Sequence, residues 1–144
     1  MSFSTVRACP ACGKANRVPA RYLASTGRCG SCKAPLPPQG EPLDVDETAF
    51  NQILQEATVP VLADFWASWC GPCLAAAPEV HALAAEMAGK AIFLKVNTEE
   101  NPGLSSRFGI QSIPNFVLLR NGKVVQQRAG FGGRAELRRW LSAA

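Results

Sequence analysis

The sequence predicts an α/β protein, a mixed central sheet flanked by helices, with a small metal-held module in front. Three observations predict it. Beyond residue 41, two nearly continuous apolar runs are separated by a helical pattern and followed by a hairpin signal. Four cysteines spaced C-x2-C-x16-C-x2-C occupy residues 9–32. The Pro-rich stretch "APLPPQGEPL" (34–43) stands between the two. The expected division is a zinc-ribbon-like module at 1–36, a linker at 37–43 and a larger body at 44–144.

Bulk composition agrees. The 144 residues are 47% apolar and 18% charged, enough to bury a core and unlike a disordered chain. Charge is uneven. Residues 1–40 carry Arg7, Lys14, Arg17, Arg21, Arg28 and Lys33 with no acid, whereas all eleven acids lie further on. No apolar run approaches the ~20 residues of a membrane span. The N-terminal "MSFSTVRACPACG" has no apolar h-region, so a reducing, cytoplasmic setting is expected. Six cysteines there point to catalysis or metal before structural disulfides.

In the body, Asp46 can cap a helix whose Phe50, Ile53 and Leu54 share a face. "PVLADFWA" (60–67) reads as a strand buried on both faces. Residues 71–88 carry Leu74, Ala77, Ala84 and Met87 at helical spacings, and Pro78 should kink that helix. "AIFLKV" (91–96) is a second buried strand, and 101–109 a short helix. "PNFVLLR", Asn121-Gly122 and "KVVQQR" form a hairpin. Leu137, Trp140 and Leu141 stripe a closing helix. The Pro-rich stretch reads as a semi-extended linker with few groups to bury; a Pro-x-x-P ligand is the rarer alternative.

Cys70-Gly71-Pro72-Cys73 follows a predicted strand and opens a predicted helix. A helix N-terminus offers unpaired N–H groups and partial positive charge, which favour a thiolate. Spacing of three puts Cys73 one turn away, and Pro72 is tolerated in the first turn. The plainer alternative is a buried structural pair. Cys9, Cys12, Cys29 and Cys32 match a zinc spacing; four thiolates close a tetrahedron and leave no position for catalysis. Metal would supply the free energy that so small a head lacks, while the body closes a core of its own. Two disulfides, or extra redox pairs, remain the alternatives.

"VLADFWASWCGPC", "KVNTEENPG", "FGIQSIP" and "NGKVVQQRAGF" resemble the thioredoxin family from about residue 44 to 144. With the cysteine head included, the chain resembles zinc-containing bacterial thioredoxins of the thioredoxin-2 type over nearly its whole length. The resemblance implies the thioredoxin fold and a thiol–disulfide oxidoreductase that reduces protein disulfides. It implies no bound organic cofactor, and reducing equivalents passed from NADPH through a flavoprotein thioredoxin reductase. By position it makes Cys70 the attacking thiolate and Cys73 the resolving thiol. Asp64, its carboxyl raised by burial, would take the proton from Cys73; a hydrogen-bonded core Asp is the alternative. Lys95 would accompany that acid, or else snorkel from a strand end. Trp69, Gly71, Pro72, a cis Pro114 and Gly130 would form the substrate groove. Trp66 would flank the site or be simple core. Leu74 and Asn115 depart from the Lys and Thr frequent in the family, which bears on substrate range and not on the chemistry.

Three other readings are weighed. An exported oxidant or isomerase is opposed by the Pro of CGPC and by the missing signal. A zinc-regulated holdase would lose metal when its four cysteines oxidise. The basic head could bind nucleic acid, but zinc with four thiolates carries net −2, and no long basic helix is present. His81, on a helix, reads as solvated or packed. Disulfide-bearing client proteins are the expected partners, with no membrane association and a monomeric state.

Overall fold

The computed structural model describes residues 3–144. Its centre is a five-stranded mixed sheet built from β5 (Leu43–Asp44), β6 (Val61–Trp66), β7 (Ile92–Asn97), β8 (Asn115–Arg120) and β9 (Lys123–Ala129), in the order β5-β7-β6-β8-β9. β5 and β6 flank β7 in parallel, and β8 and β9 run antiparallel. Asn121 and Gly122 both take positive φ, 54° and 77°, as the tight turn between β8 and β9 requires. The helices are α1 (Glu47–Glu56), α2 (Gly71–Glu86), α3 (Pro102–Arg107) and α4 (Arg134–Ala143). Asp46 caps α1, its carboxylate accepting from the Ala49 N–H at 2.8 Å.

The period of two in β6 sorts side chains between two cores. Val61, Ala63 and Phe65 pack with Phe50 and Ile53 of α1 and Leu104 of α3. Leu62 packs on the opposite face with Val80 and Leu83 of α2 and Leu137 of α4. Asp64 shares the parity of Leu62 and so faces the side of the sheet that α2 covers.

The head is two antiparallel hairpins, β1 (Ser4–Ala8) with β2 (Ala15–Pro19), and β3 (Gly27–Arg28) with β4 (Pro35–Leu36). It is not suspended on a free linker. Pro35–Leu36 belongs to the head's second hairpin, and Leu36 is buried. Leu43–Asp44 forms an edge of the main sheet. The expected linker is therefore shorter than its composition suggests, because backbone pairing at both ends outweighs the proline content. Nor is the body's core closed without the head. Val18, Ala20 and Leu23 join the cluster around Phe50 and Ile53. The Gln39 N–H bonds the Leu23 carbonyl at 2.8 Å, and the Phe3 N–H bonds the Gln52 side chain.

α2 runs from Gly71 to Glu86 with Pro78 inside it, on its exposed side. One further expectation differs. Leu74, placed on the apolar stripe by spacing, is 53% exposed. The stripe that packs is Cys73, Ala76, Val80, Leu83 and Ala84.

Candidate functional site

β6 delivers the chain to its C-terminal end, where Cys70 caps α2 in extended geometry. Such strand ends beside a helix start are where open α/β sheets bind and react. Cys70 and Cys73 are joined by a disulfide, with Cα atoms 5.3 Å apart. The Cys70 sulfur accepts from the Cys73 N–H at 3.2 Å, so the first helical turn places a donor on that atom. Pro72 stands in the first turn, where its missing N–H leaves no bond unmade. Both cysteines are buried, at 4% and 5% exposure, whereas Trp69 is 68% exposed. The Trp69 indole N–H donates to the Glu99 carboxylate.

The Ile113–Pro114 bond is cis. The Gly130 N–H donates to the Pro114 carbonyl at 2.7 Å, and Gly130 has φ +83°, a region that favours glycine. Pro72, Ile113, Pro114, Gly130 and Phe131 line a shallow cavity of about 580 Å³ beside the disulfide. Asn115 is buried next to it. Its amide donates to the Ser112 carbonyl at 3.5 Å, and its oxygen accepts from the Gln127 amide at 3.3 Å.

Asp64 is 6% exposed, and its Oδ1 has no hydrogen-bond partner. Burial lifts its carboxyl to about 7, against the downward pull of the Lys95 ammonium. Sheet register explains that pairing of influences, because Asp64 on β6 stands opposite Lys95 on β7. The Lys95 Nζ lies 4.2 Å from the centroid of the Trp66 ring. Trp66 is therefore part of the site's surroundings as well as of the packing, and its own indole N–H is buried without a partner.

In the head, each Cys-x-x-Cys occupies the turn of one hairpin. The four sulfurs all lie within 4.8 Å of one another. Cys9 and Cys32 are 3.6 Å apart, as are Cys12 and Cys29. A tetrahedral ion with bonds of ~2.3 Å sets its sulfurs roughly 3.8 Å apart, so this set fits one. Backbone N–H groups of Ala11 and Ser31 donate to Cys9 and Cys29 at 3.4 and 3.3 Å. The N–H groups of Cys32 and then Ser31 draw the Cys29 thiol down to about 6, and that of Cys12 leads in lowering Cys9. Against the Lys14 backbone hydrogen bond, the neighbouring Cys32 thiol and burial push the Cys12 thiol the other way, up to about 11, so these thiols share protons unequally. The cluster is positioned to bind a metal ion.

The candidate site residues lie in two places: Asp64, Trp69, Cys70, Gly71, Pro72, Cys73, Lys95, Pro114 and Gly130 in or beside the main sheet, and Cys9, Cys12, Cys29 and Cys32 in the head. His81 is exposed and belongs to neither. Three supporting residues escaped sequence reasoning. Glu99 holds Trp69, and Gln127 holds Asn115. Asn16 donates to the Cys29 sulfur at 3.6 Å and accepts from the Gly30 N–H at 2.9 Å. No local pattern marks them, since each reaches its partner only through the fold.

A disulfide that caps a helix at the end of a central strand bearing a buried acid, with a cis-proline lining the adjoining groove, defines a thiol–disulfide oxidoreductase. Comparison with known proteins makes the class specific. The family model described as Thioredoxin matches residues 41–143, and the one described as Thioredoxin 2, N-terminal, matches residues 8–34. The chain belongs to the thioredoxin family. It is 40% identical over 133 residues to thioredoxin C-3 of Corynebacterium nephridii, covering 92% of this chain and 90% of that one. It is 36% identical over 102 residues to a thioredoxin of Haemophilus influenzae, covering 71% and 95%. Among solved structures, a mutant thioredoxin from Halobacterium salinarum matches with a TM-score of 0.67 and 32% identity, covering 72% and 90%. Thioredoxin F from spinach chloroplast matches with a TM-score of 0.67 and 33% identity, covering 72% and 86%.

Proposed function

We propose that the chain reduces protein disulfides by a two-step exchange at Cys70 and Cys73, inside a zinc-braced fold. The single observation that carries the reading is the Cys70 sulfur at the start of α2, bonded to the Cys73 N–H. In the reduced protein that N–H and the helix dipole favour a thiolate on Cys70. The thiolate attacks one sulfur of the client disulfide, forming a mixed disulfide and expelling the other client sulfur as a thiolate. Asp64, ionised at this stage, accepts the proton of Cys73. The Cys73 thiolate then attacks Cys70, expels the second client sulfur and closes the Cys70–Cys73 disulfide. Two electrons pass to the client, whose thiolates take up protons. Raised to about 7 by burial, Asp64 exchanges that proton near neutrality. Lys95 keeps Asp64 from rising further.

Trp69, Gly71, Pro72, Pro114 and Gly130 form the surface that receives the client chain. Cys9, Cys12, Cys29 and Cys32 hold Zn²⁺, which braces the head and takes no part in exchange. The functional division is a head at 1–36, a short connection, and a body that begins with β5 at Leu43. A thioredoxin reductase drawing on NADPH regenerates the dithiol, in a cytoplasmic, monomeric setting. Among the described residues, no helix is long and apolar enough to cross a membrane.

The test uses two variants in an insulin-reduction assay. Cys70→Ser should abolish turnover, and Cys73→Ser should accumulate mixed disulfides with clients. Full activity in Cys70→Ser would overturn the assignment. Metal analysis and thiol counting on protein purified without chelator and then gently reduced should give one zinc per chain, four protected thiols and two reactive ones.

A further inference from the structure

Residues of both head hairpins line an open cavity of about 340 Å³. That volume falls in the range of small-molecule sites, roughly 300–1,000 Å³. It shares no lining residue with the groove beside Cys70. Its walls carry Arg7, Arg17 and Arg28, in a head with no acid. Among the described residues, none of the three forms an ion pair. Glu56 shares a neighbouring cleft with Arg17 but is not bonded to it.

Arg7 is the informative member. Its terminal nitrogens donate to the carbonyls of Pro37 at 2.6 Å and Leu23 at 3.4 Å. Its Nε is buried with no partner. Carbonyls hold a guanidinium in place without neutralising it. Buried donors are almost always satisfied, and the Nε of this half-buried guanidinium is not. The thiolate cluster does not serve at contact range. Its donors are backbone N–H groups and the Asn16 amide, and no arginine bonds a sulfur. Arg17 is exposed and makes no side-chain hydrogen bond among the described residues; Arg28 makes one, of 3.4 Å.

The remaining lining says what kind of anion fits. Ser25 and Thr26 bring hydroxyl donors, and the half-exposed Tyr22 brings a ring. Buried Val18 and Leu36 form an apolar part of the wall. Guanidinium forks and hydroxyls match the several oxygens of a phosphate, and the ring and apolar wall match a flat organic body. We propose that this cavity binds a small organic phosphate of the nucleotide class.

The test titrates the metal-loaded full chain with AMP at 0.15 M salt, followed by calorimetry and by amide chemical shifts. The expected result is one saturable site, with shifts centred on Tyr22, Ser25 and Thr26. Arg17→Gln and Arg28→Gln should each weaken binding at least tenfold, the cost of one charge-assisted hydrogen bond. Arg139→Gln, an equal loss of charge on α4, should leave it unchanged. Shifts that do not saturate, or equal weakening by Arg139→Gln, would reduce the effect to general charge attraction and overturn the site. Inorganic phosphate binding as tightly as AMP would remove the organic body from the assignment. A single-stranded oligonucleotide binding far more tightly than AMP, and covering several nucleotides, would replace the pocket by a nucleic-acid surface. The shift map reads the wild-type protein, so it decides the matter even where a variant loses its metal.

Discussion

Replacing Asp64 by alanine should make the protein more stable at pH 8 and slightly less stable at pH 4. Burial raises this carboxyl from an ordinary ~3.9 to about 7. Below pH ~4 both folded and unfolded states hold the proton, and the group is neutral in its effect. Between about pH 4 and 7 the unfolded chain ionises while the folded one does not. The folded state then binds more protons, so stability falls as pH rises. Above 7 the full penalty is in place, worth about 4 kcal/mol for that difference. Alanine removes the pH-dependent part and leaves a small void costing ~1 kcal/mol. The variant should therefore gain about 3 kcal/mol at pH 8. The assay is urea unfolding of the oxidised protein, in which the Cys70–Cys73 disulfide does not titrate. Taking the difference between the two proteins at each pH cancels the acid sensitivity of the metal cluster. Parallel stability profiles from pH 4 to 8, or a variant weaker than wild type at pH 8, would refute the buried-acid argument. Disulfide reduction should at the same time slow, because Cys73 loses its proton acceptor.

Leu23→Ala should cost 2–5 kcal/mol, although Leu23 lies in the head, because it is fully buried against the body's core; chemical denaturation reads this directly. Cys29→Ser or chelation should lower the unfolding temperature of the whole chain in a single transition, and a calorimetric trace showing the body unmoved would refute this coupling. Leu74→Lys changes an exposed side chain, so stability should shift by no more than about 0.5 kcal/mol. A cation next to Cys73 should nevertheless speed alkylation of Cys70 at pH 6 and make it sensitive to salt.

The body was legible because its signals are local. Asp46 caps α1 wherever α1 packs, and the positive φ values of Asn121 and Gly122 follow from residue types that tolerate them. Leu74 shows the limit of periodicity. Helical spacing says which residues share a stripe but not which stripe the sheet covers: Cys73 and Ala76 are buried while Leu74 stays 53% exposed. Composition misled at residues 34–43 for a related reason. Prolines oppose regular structure in isolation, yet a two-residue strand needs only a free neighbouring edge, and β3 and β7 supply one at each end.

Taken by itself, the sequence separated the cysteines into two sets. A strand before and a helix after mark Cys70 and Cys73 for exchange chemistry, and two turns sixteen residues apart give the other four a metal-binding spacing. Only the tertiary structure decided how charges and cores meet across long separations. Register places Lys95 opposite Asp64, thirty-one residues away in the chain. Docking puts Leu23 against Phe50 and leaves Arg7 holding carbonyls without a counter-charge. These are non-local outcomes. A residue's own type and neighbours set its conformational preferences, but burial, and with it pKa and electrostatic demand, depends on what the rest of the chain lays over it.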